Sequence, residues 1–208
     1  MTTTEPLIRI VDDDAAFRLA VGRLLRLSGY EVRAFRSAGD FLMKEDGLRP
    51  GCVLLDVRMP GPSGLELQEA LARYADSLPI VFLTGHGDIP LSVRAIKAGA
   101  VDFLTKPVRK ETLLAAIRAA LARDAGSRAA RDETRSLRDR YERLSERERE
   151  VLAHVVAGRL NKQIAAAIGV SERTVKSHRS RVMEKMHASS VADLVRSSDR
   201  VLSAAARS

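Results

Sequence analysis

The stretch CVLLDVRMPGPSG, residues 52–64, decides the fold: four apolar residues run into one aspartate, Asp56, and a turn rich in proline and glycine follows at once. A short continuous apolar run bounded by turn residues reads as a strand buried on both faces. Leu67, Ala70 and Leu71 then recur at helical period, so the stretch is the centre of a strand–helix unit. Working outward, similar apolar runs occur at Leu7–Val11, Tyr30–Phe35, Pro79–Leu83 and Val101–Leu104. Helical periods lie between or after them at Phe17, Val21, Leu24 and Leu25, at Val93 and Ile96, and at Leu113, Ile117 and Leu121. Strand and helix alternating five times predict an α/β domain over residues 1–124, a doubly wound five-stranded parallel sheet with helices on both faces.

In such sheets ligands bind outside the carboxyl ends of the strands. Asp12, Asp13 and Asp14 stand at the end of the first strand, Asp56 at the third, Thr84 at the fourth and Lys106-Pro107 near the fifth. Carboxylates without matching His or Cys suit a hard divalent cation that takes oxygen ligands, magnesium or manganese. A cation there offsets the repulsion between the acids and bridges to a transferring phosphoryl group, whose oxygens need further positive charge and a hydroxyl donor. Lys106 and Thr84 supply these. Asp14 reads as the cap of the first helix instead, and Gly61 and Gly64 as turn residues.

The remaining 84 residues differ in charge. Residues 1–124 hold 17 Lys/Arg against 16 Asp/Glu, whereas residues 125–208 hold 18 against 11, so the net charge of +8 sits almost wholly in the second part. A basic segment behind a near-neutral one points to a polyanion. With 45% hydrophobic and 30% charged residues the chain has the means to build cores. One cysteine, Cys52, excludes a disulfide framework or a cysteine metal site and reads as a core residue. No leader-like start or run of roughly 20 apolar residues is present, which predicts a cytoplasmic protein with no membrane partner.

Residues 125–140 read as a helical linker, broken only weakly by Gly126 and Ser127. Leu137, Tyr141 and Leu144 make a short apolar stripe that covers the next domain or a partner helix. From 141 to 208 the pattern predicts an all-α four-helix domain. Ser145 with Glu148 is a capping box opening a helix that stops at Gly158. A second helix begins near Asn161, carries Ile164, Ala165 and Ile168 inward and ends at Gly169; Ser171 caps a third that runs to about Met186. Two helices joined by a tight glycine turn are the helix-turn-helix arrangement. Projected at about 100° per residue, the third helix puts Val175, Val182 and Met186 on one face, with Arg179 and Met183 at its margins. Arg173, Ser177 and Ser180 lie opposite, flanked by Thr174, Lys176 and Arg181. A narrow polar helix with basic margins fits a major groove.

The strings VDDD, LLDVRMPGPSG, FLTGHGD and DFLTKP together resemble the receiver domain of two-component response regulators, a flavodoxin-like fold, over about residues 5–124. The run LSEREREVLAHVVAGRLNKQIAAAIGVSERTVKSHRSRVMEKM resembles the DNA-binding domain of the NarL/FixJ (LuxR-type) regulators, over about residues 142–206. The first resemblance implies that Asp56 takes phosphate from a phosphohistidine and that Asp12, Asp13, Asp56 and the backbone carbonyl of Arg58 hold the metal. It implies that Thr84 and Lys106 contact the phosphoryl oxygens, that Phe103 is the moving ring of the switch, that Lys106-Pro107 is cis, and that Arg58 and His86 tune the chemistry. The second implies that Lys176, Ser177 and Ser180 face bases while Asn161, Lys162, Thr174 and Arg181 position the backbone; His178 is divided between groove and core. Ser180 is short and uncharged where other members present a longer side chain. The implied partners are a sensor histidine kinase, double-stranded promoter DNA, a second copy of the chain on phosphorylation, and RNA polymerase. The implied chain is no enzyme beyond assisting its own phosphorylation and dephosphorylation. Two alternatives stand beside this reading: an aspartyl phosphotransferase or phosphatase acting on an external substrate, and an adaptor whose carboxy-terminal helices bind RNA or protein.

Overall fold

The computed structural model describes residues 5–45, 49–73, 77–85 and 89–205. The chain divides into two compact units, residues 1–127 and 128–208.

In the first unit, strands β1 (Leu7–Val11), β2 (Glu31–Phe35), β3 (Gly51–Asp56), β4 (Ile80–Thr84) and β5 (Asp102–Thr105) form one parallel sheet in the order β2-β1-β3-β4-β5. Helices α1 (Ala15–Leu27), α2 (Ala38–Lys44), α3 (Gly64–Leu71), α4 (Ile89–Lys97) and the start of α5 (Lys110–Glu142) alternate with them. Side chains alternate across a strand, which splits the core in two. Ile8, Ile10, Cys52, Leu54, Val81 and Leu83 face α1 and α5, meeting Val21, Leu25, Leu113 and Ile117. Val11, Val53, Leu55, Ile80 and Phe82 face the other way, meeting Phe41, Leu65, Leu67 and Ala95. Cys52 is a buried core residue, and burial pushes its thiol up to about 12, so it stays protonated.

Three features depart from the periodic reading. β2 is largely exposed although its sequence is an apolar-looking run, because it is an edge strand. Helix α2 carries no long apolar period; its seven residues are fixed by Ser37, whose hydroxyl accepts the Asp40 N–H, and by the buried Ala38 and Phe41. Val93 and Ile96 keep a helical period but face outward, each 46% exposed, since α4 meets the sheet through the small Ala95 with Leu91 beside it.

In the second unit, α6 (Glu146–Val156), α7 (Asn161–Ile168), α8 (Glu172–Lys185) and α9 (Val191–Ala205) enclose a core of Val151, Leu152, Val155, Ile164, Ile168, Val175, Val182, Met186 and Leu194. Their starts are written in the sequence. Ser145 and Glu148 form the expected capping box, and Ser171 accepts the Thr174 N–H. Gly158 and Gly169 take the left-handed conformation that ends α6 and α7. Residues 125–140 are helical throughout as part of α5. Tyr141 and Leu144 of the apolar stripe join the core of this unit, and Leu137 is buried. Among the described residues no helix is long and apolar enough to cross a membrane.

Candidate functional site

Strand order places β1 beside β3, and it is between these two that the winding reverses. Asp12 follows the first and Asp56 ends the second, so their carboxyl groups enter the same crevice. One carboxylate oxygen from each of Asp12, Asp13 and Asp56 lies within 4.8 Å of the others. Asp12 is almost wholly buried; one oxygen accepts the Asp14 N–H at 2.9 Å and the other accepts Lys106 Nζ at 2.6 Å. The same ammonium stands 3.3 Å from Asp56 Oδ2 and 4.1 Å from the centre of the Phe17 ring. Arg58 N–H reaches Asp56 Oδ1 at 3.5 Å, and Arg18 donates to the backbone carbonyl of Asp12 at 2.6 Å.

Burial pushes the Asp56 carboxyl above its ordinary range; Lys106 and the Arg58 N–H pull it back, and the neighbouring Asp12 charge adds to the rise. Among the described residues, three carboxylates against one ammonium leave the crevice short of positive charge. An oxygen-only donor set of that kind, with Asp13 exposed at its mouth, fits a hard divalent cation.

Thr84 ends β4, is buried, and its backbone carbonyl accepts the Lys106 N–H at 2.7 Å. Phe103 pairs with Phe82 in the β4–β5 register and packs partly buried on the core, the two rings 6.0 Å apart. The Lys106-Pro107 bond is cis. Asp14 caps α1, accepting from Ala16 and Phe17 N–H groups. His86 lies outside the described residues. Gly61 has a positive φ of 82°, as a turn residue should, but Gly64 is required for a different reason: a Cβ there would lie 2.2 Å from the Asp56 carbonyl oxygen. Phe17 and Arg18 were not legible as site residues, since Phe17 counts as one position of the α1 apolar stripe and only the fold carries Lys106 to it.

On the second unit, Val175, Val182 and Met186 of α8 are buried while Arg173, Lys176, Ser177, Ser180 and Arg181 are exposed and Thr174 is half-buried, as the projection predicts. Lys162 is exposed on α7, and Asn161 is half-buried with its Oδ1 accepting from Arg179 Nη1 at 2.8 Å. That bond ties α7 to α8 and leaves the amide NH2 as the end available to donate. His178 Nδ1 is buried with no hydrogen-bond partner among the described residues, which puts that nitrogen on the core side. Lys185 binds the buried Glu148 at 2.7 Å, joining α8 to α6.

Comparison with known proteins matches residues 8–118 to the response regulator receiver domain and residues 142–198 to bacterial regulatory proteins of the luxR family. The chain is 49% identical to the response regulator protein TmoT of Ectopseudomonas mendocina, over 97% of this chain and 91% of that one. It is 47% identical to nodulation protein W of Bradyrhizobium diazoefficiens, over 95% and 87%. Among solved structures, the response regulator StyR matches with a TM-score of 0.84 at 44% identity, covering 94% of this chain and 99% of that one. The chain therefore belongs to the response regulators that join a receiver domain to a LuxR-type DNA-binding domain, and is a transcription regulator of a two-component system.

Proposed function

We propose that Asp56 accepts a phosphoryl group from a phosphohistidine of a sensor histidine kinase. A carboxylate oxygen of Asp56 attacks phosphorus, the P–N bond breaks, imidazole leaves with the electron pair, and an acyl phosphate remains on Asp56. Asp12, Asp13, Asp56 and the backbone carbonyl of Arg58 would hold magnesium or manganese, which supplies charge neutralisation to the phosphoryl oxygens. Lys106 is the protein cation within reach of those oxygens, and the Thr84 hydroxyl donates to them. The observation that carries this reading is the meeting of three carboxylates within 4.8 Å with Lys106 bridging two of them.

Downstream, Thr84 moves toward the phosphoryl group and Phe103 follows into the space it leaves. The surface of α4 and β5 then pairs two copies through Val93, Arg94 and Lys97, all exposed in the unphosphorylated chain. Paired copies meet two half-sites of duplex promoter DNA. Lys176, Ser177 and Ser180 read base edges, while Asn161, Lys162, Thr174 and Arg181 hold the sugar-phosphate backbone; RNA polymerase is the partner at the promoter. With acetyl phosphate and Mg2+, the wild type should gain phosphate, dimerise and bind its operator more tightly, and EDTA should abolish all three. Equal dimerisation and operator affinity for wild type and Asp56→Asn under these conditions overturn the scheme.

A further inference from the structure

We propose that Phe17 is a positioning residue that holds the Lys106 ammonium over the acidic crevice through a cation–π contact. Lys106 Nζ lies 4.1 Å from the ring centre, well inside the roughly 6 Å reach of such contacts. The lysine has four rotatable bonds and follows β5, whereas one of its partners, Asp12, follows β1, with β3 and β4 between. Left to the carboxylates alone, the ammonium is drawn to Asp12, 2.6 Å away, more closely than to Asp56 at 3.3 Å. A ring is uncharged. It attracts the ammonium equally whether the carboxylates are bare or neutralised, so it keeps the lysine at the crevice when incoming cation and phosphoryl charges redraw the field.

The ring is itself well anchored. Asp14 accepts the Phe17 N–H at 3.1 Å, and the side chain packs against the core between the sheet, α1 and α5. One residue further, Arg18 binds the Asp12 carbonyl, so the first turn of α1 steadies both the first carboxylate and the lysine. This inference rests on the role proposed above for Lys106 toward the phosphoryl oxygens.

The test uses the full-length protein. In the metal-free wild type the Lys106 ε-methylene protons should resonate upfield of an unhindered lysine, because they lie by the ring; Phe17→Leu should lose that shift and Phe17→Tyr keep it. With acetyl phosphate and Mg2+, Phe17→Leu should phosphorylate about 3- to 10-fold more slowly, the span a partly desolvated cation–π contact supports, and Phe17→Tyr should stay near wild type. Loss of rate in Phe17→Leu with recovery in Phe17→Tyr separates the ring from bulk packing. A wild type without the upfield shift, a Phe17→Leu rate equal to wild type, or a Phe17→Tyr rate as low as Phe17→Leu overturns the proposal. The ring shift decides even where Phe17→Leu does not fold. Phosphorylation of Asp56→Asn at the wild-type rate would instead remove the acceptor reading and leave the ring shift to judge Phe17 alone.

Discussion

Glu148 is an acid buried in α6 with two partners for its carboxylate. Lys185 binds it at 2.7 Å and the Ser145 N–H at 2.8 Å, and the Lys185 bond chiefly holds its carboxyl below the ordinary value of 4.5 against the opposing effect of burial. A folded value lower than the unfolded one means stability that is present above pH 4.5 and is lost as pH falls through the folded value. Glu148→Gln should lower unfolding free energy at about pH 7 by roughly 1–3 kcal/mol, since it weakens a charge-assisted bond and leaves Lys185 short of its partner. The gap to wild type should narrow as pH falls through the lowered folded value, where the native carboxyl itself takes up a proton. Urea titrations at neutral pH and down through the acid range read this; a gap that stays constant assigns the effect to packing.

At the scale of the element, the start of α3 shows how alike glycines differ. In the sequence Gly61 and Gly64 are two members of one turn. In the fold, Gly61 has a positive φ with open space around its Cα, while a side chain at Gly64 would strike the backbone of the acceptor Asp56 itself. Gly61→Ala should cost about 1 kcal/mol through backbone strain and leave phosphorylation by acetyl phosphate near wild type. Gly64→Ala should cost more and slow phosphorylation at least several-fold, since either α3 or Asp56 must give way. Equal rates for the two variants, in a single-turnover assay, would refute the distinction. The helix starts at Ser145 with Glu148 and at Ser171 were legible because they are local signals, satisfied within four residues, and the structure shows Ser63 with Glu66 opening α3 in the same way.

At the scale of the whole molecule, charge follows the division into two units, the first near neutral and the second basic. Binding to duplex DNA should weaken steeply with salt, because each neutralised phosphate releases counterions. Lys162→Ala and Arg181→Ala should each flatten the slope of log affinity against log salt by about one while weakening all sequences alike, and Lys176→Ala should relax sequence preference. Arg23→Ala, exposed on α1 of the first unit, should leave the slope unchanged. Fluorescence anisotropy across a salt series measures these slopes, and an Arg181→Ala slope equal to wild type would move the interface elsewhere.

Periodicity, turn residues, caps and the charge division belong to neighbours in the chain, and the sequence alone determined what they govern: five strands with the helices around them except the short α2, acids at the strand ends, a capped basic helix after a glycine turn. What lies between distant residues had no such trace. Arg9 reads as an intrusion in an apolar strand; the fold buries it completely and gives it Glu45 at 2.6 Å and three backbone carbonyls. Asp124, late in the first unit, accepts the Gly51 N–H at the opening of β3. The ring of Phe17 under Lys106 is of the same kind, as is the outward turn of Val93 and Ile96. Local pattern records how each residue behaves along its own element, whereas a side chain's partner across the fold is chosen by strand order and by which helix covers which face, and those are set only when the whole sheet has closed on its core.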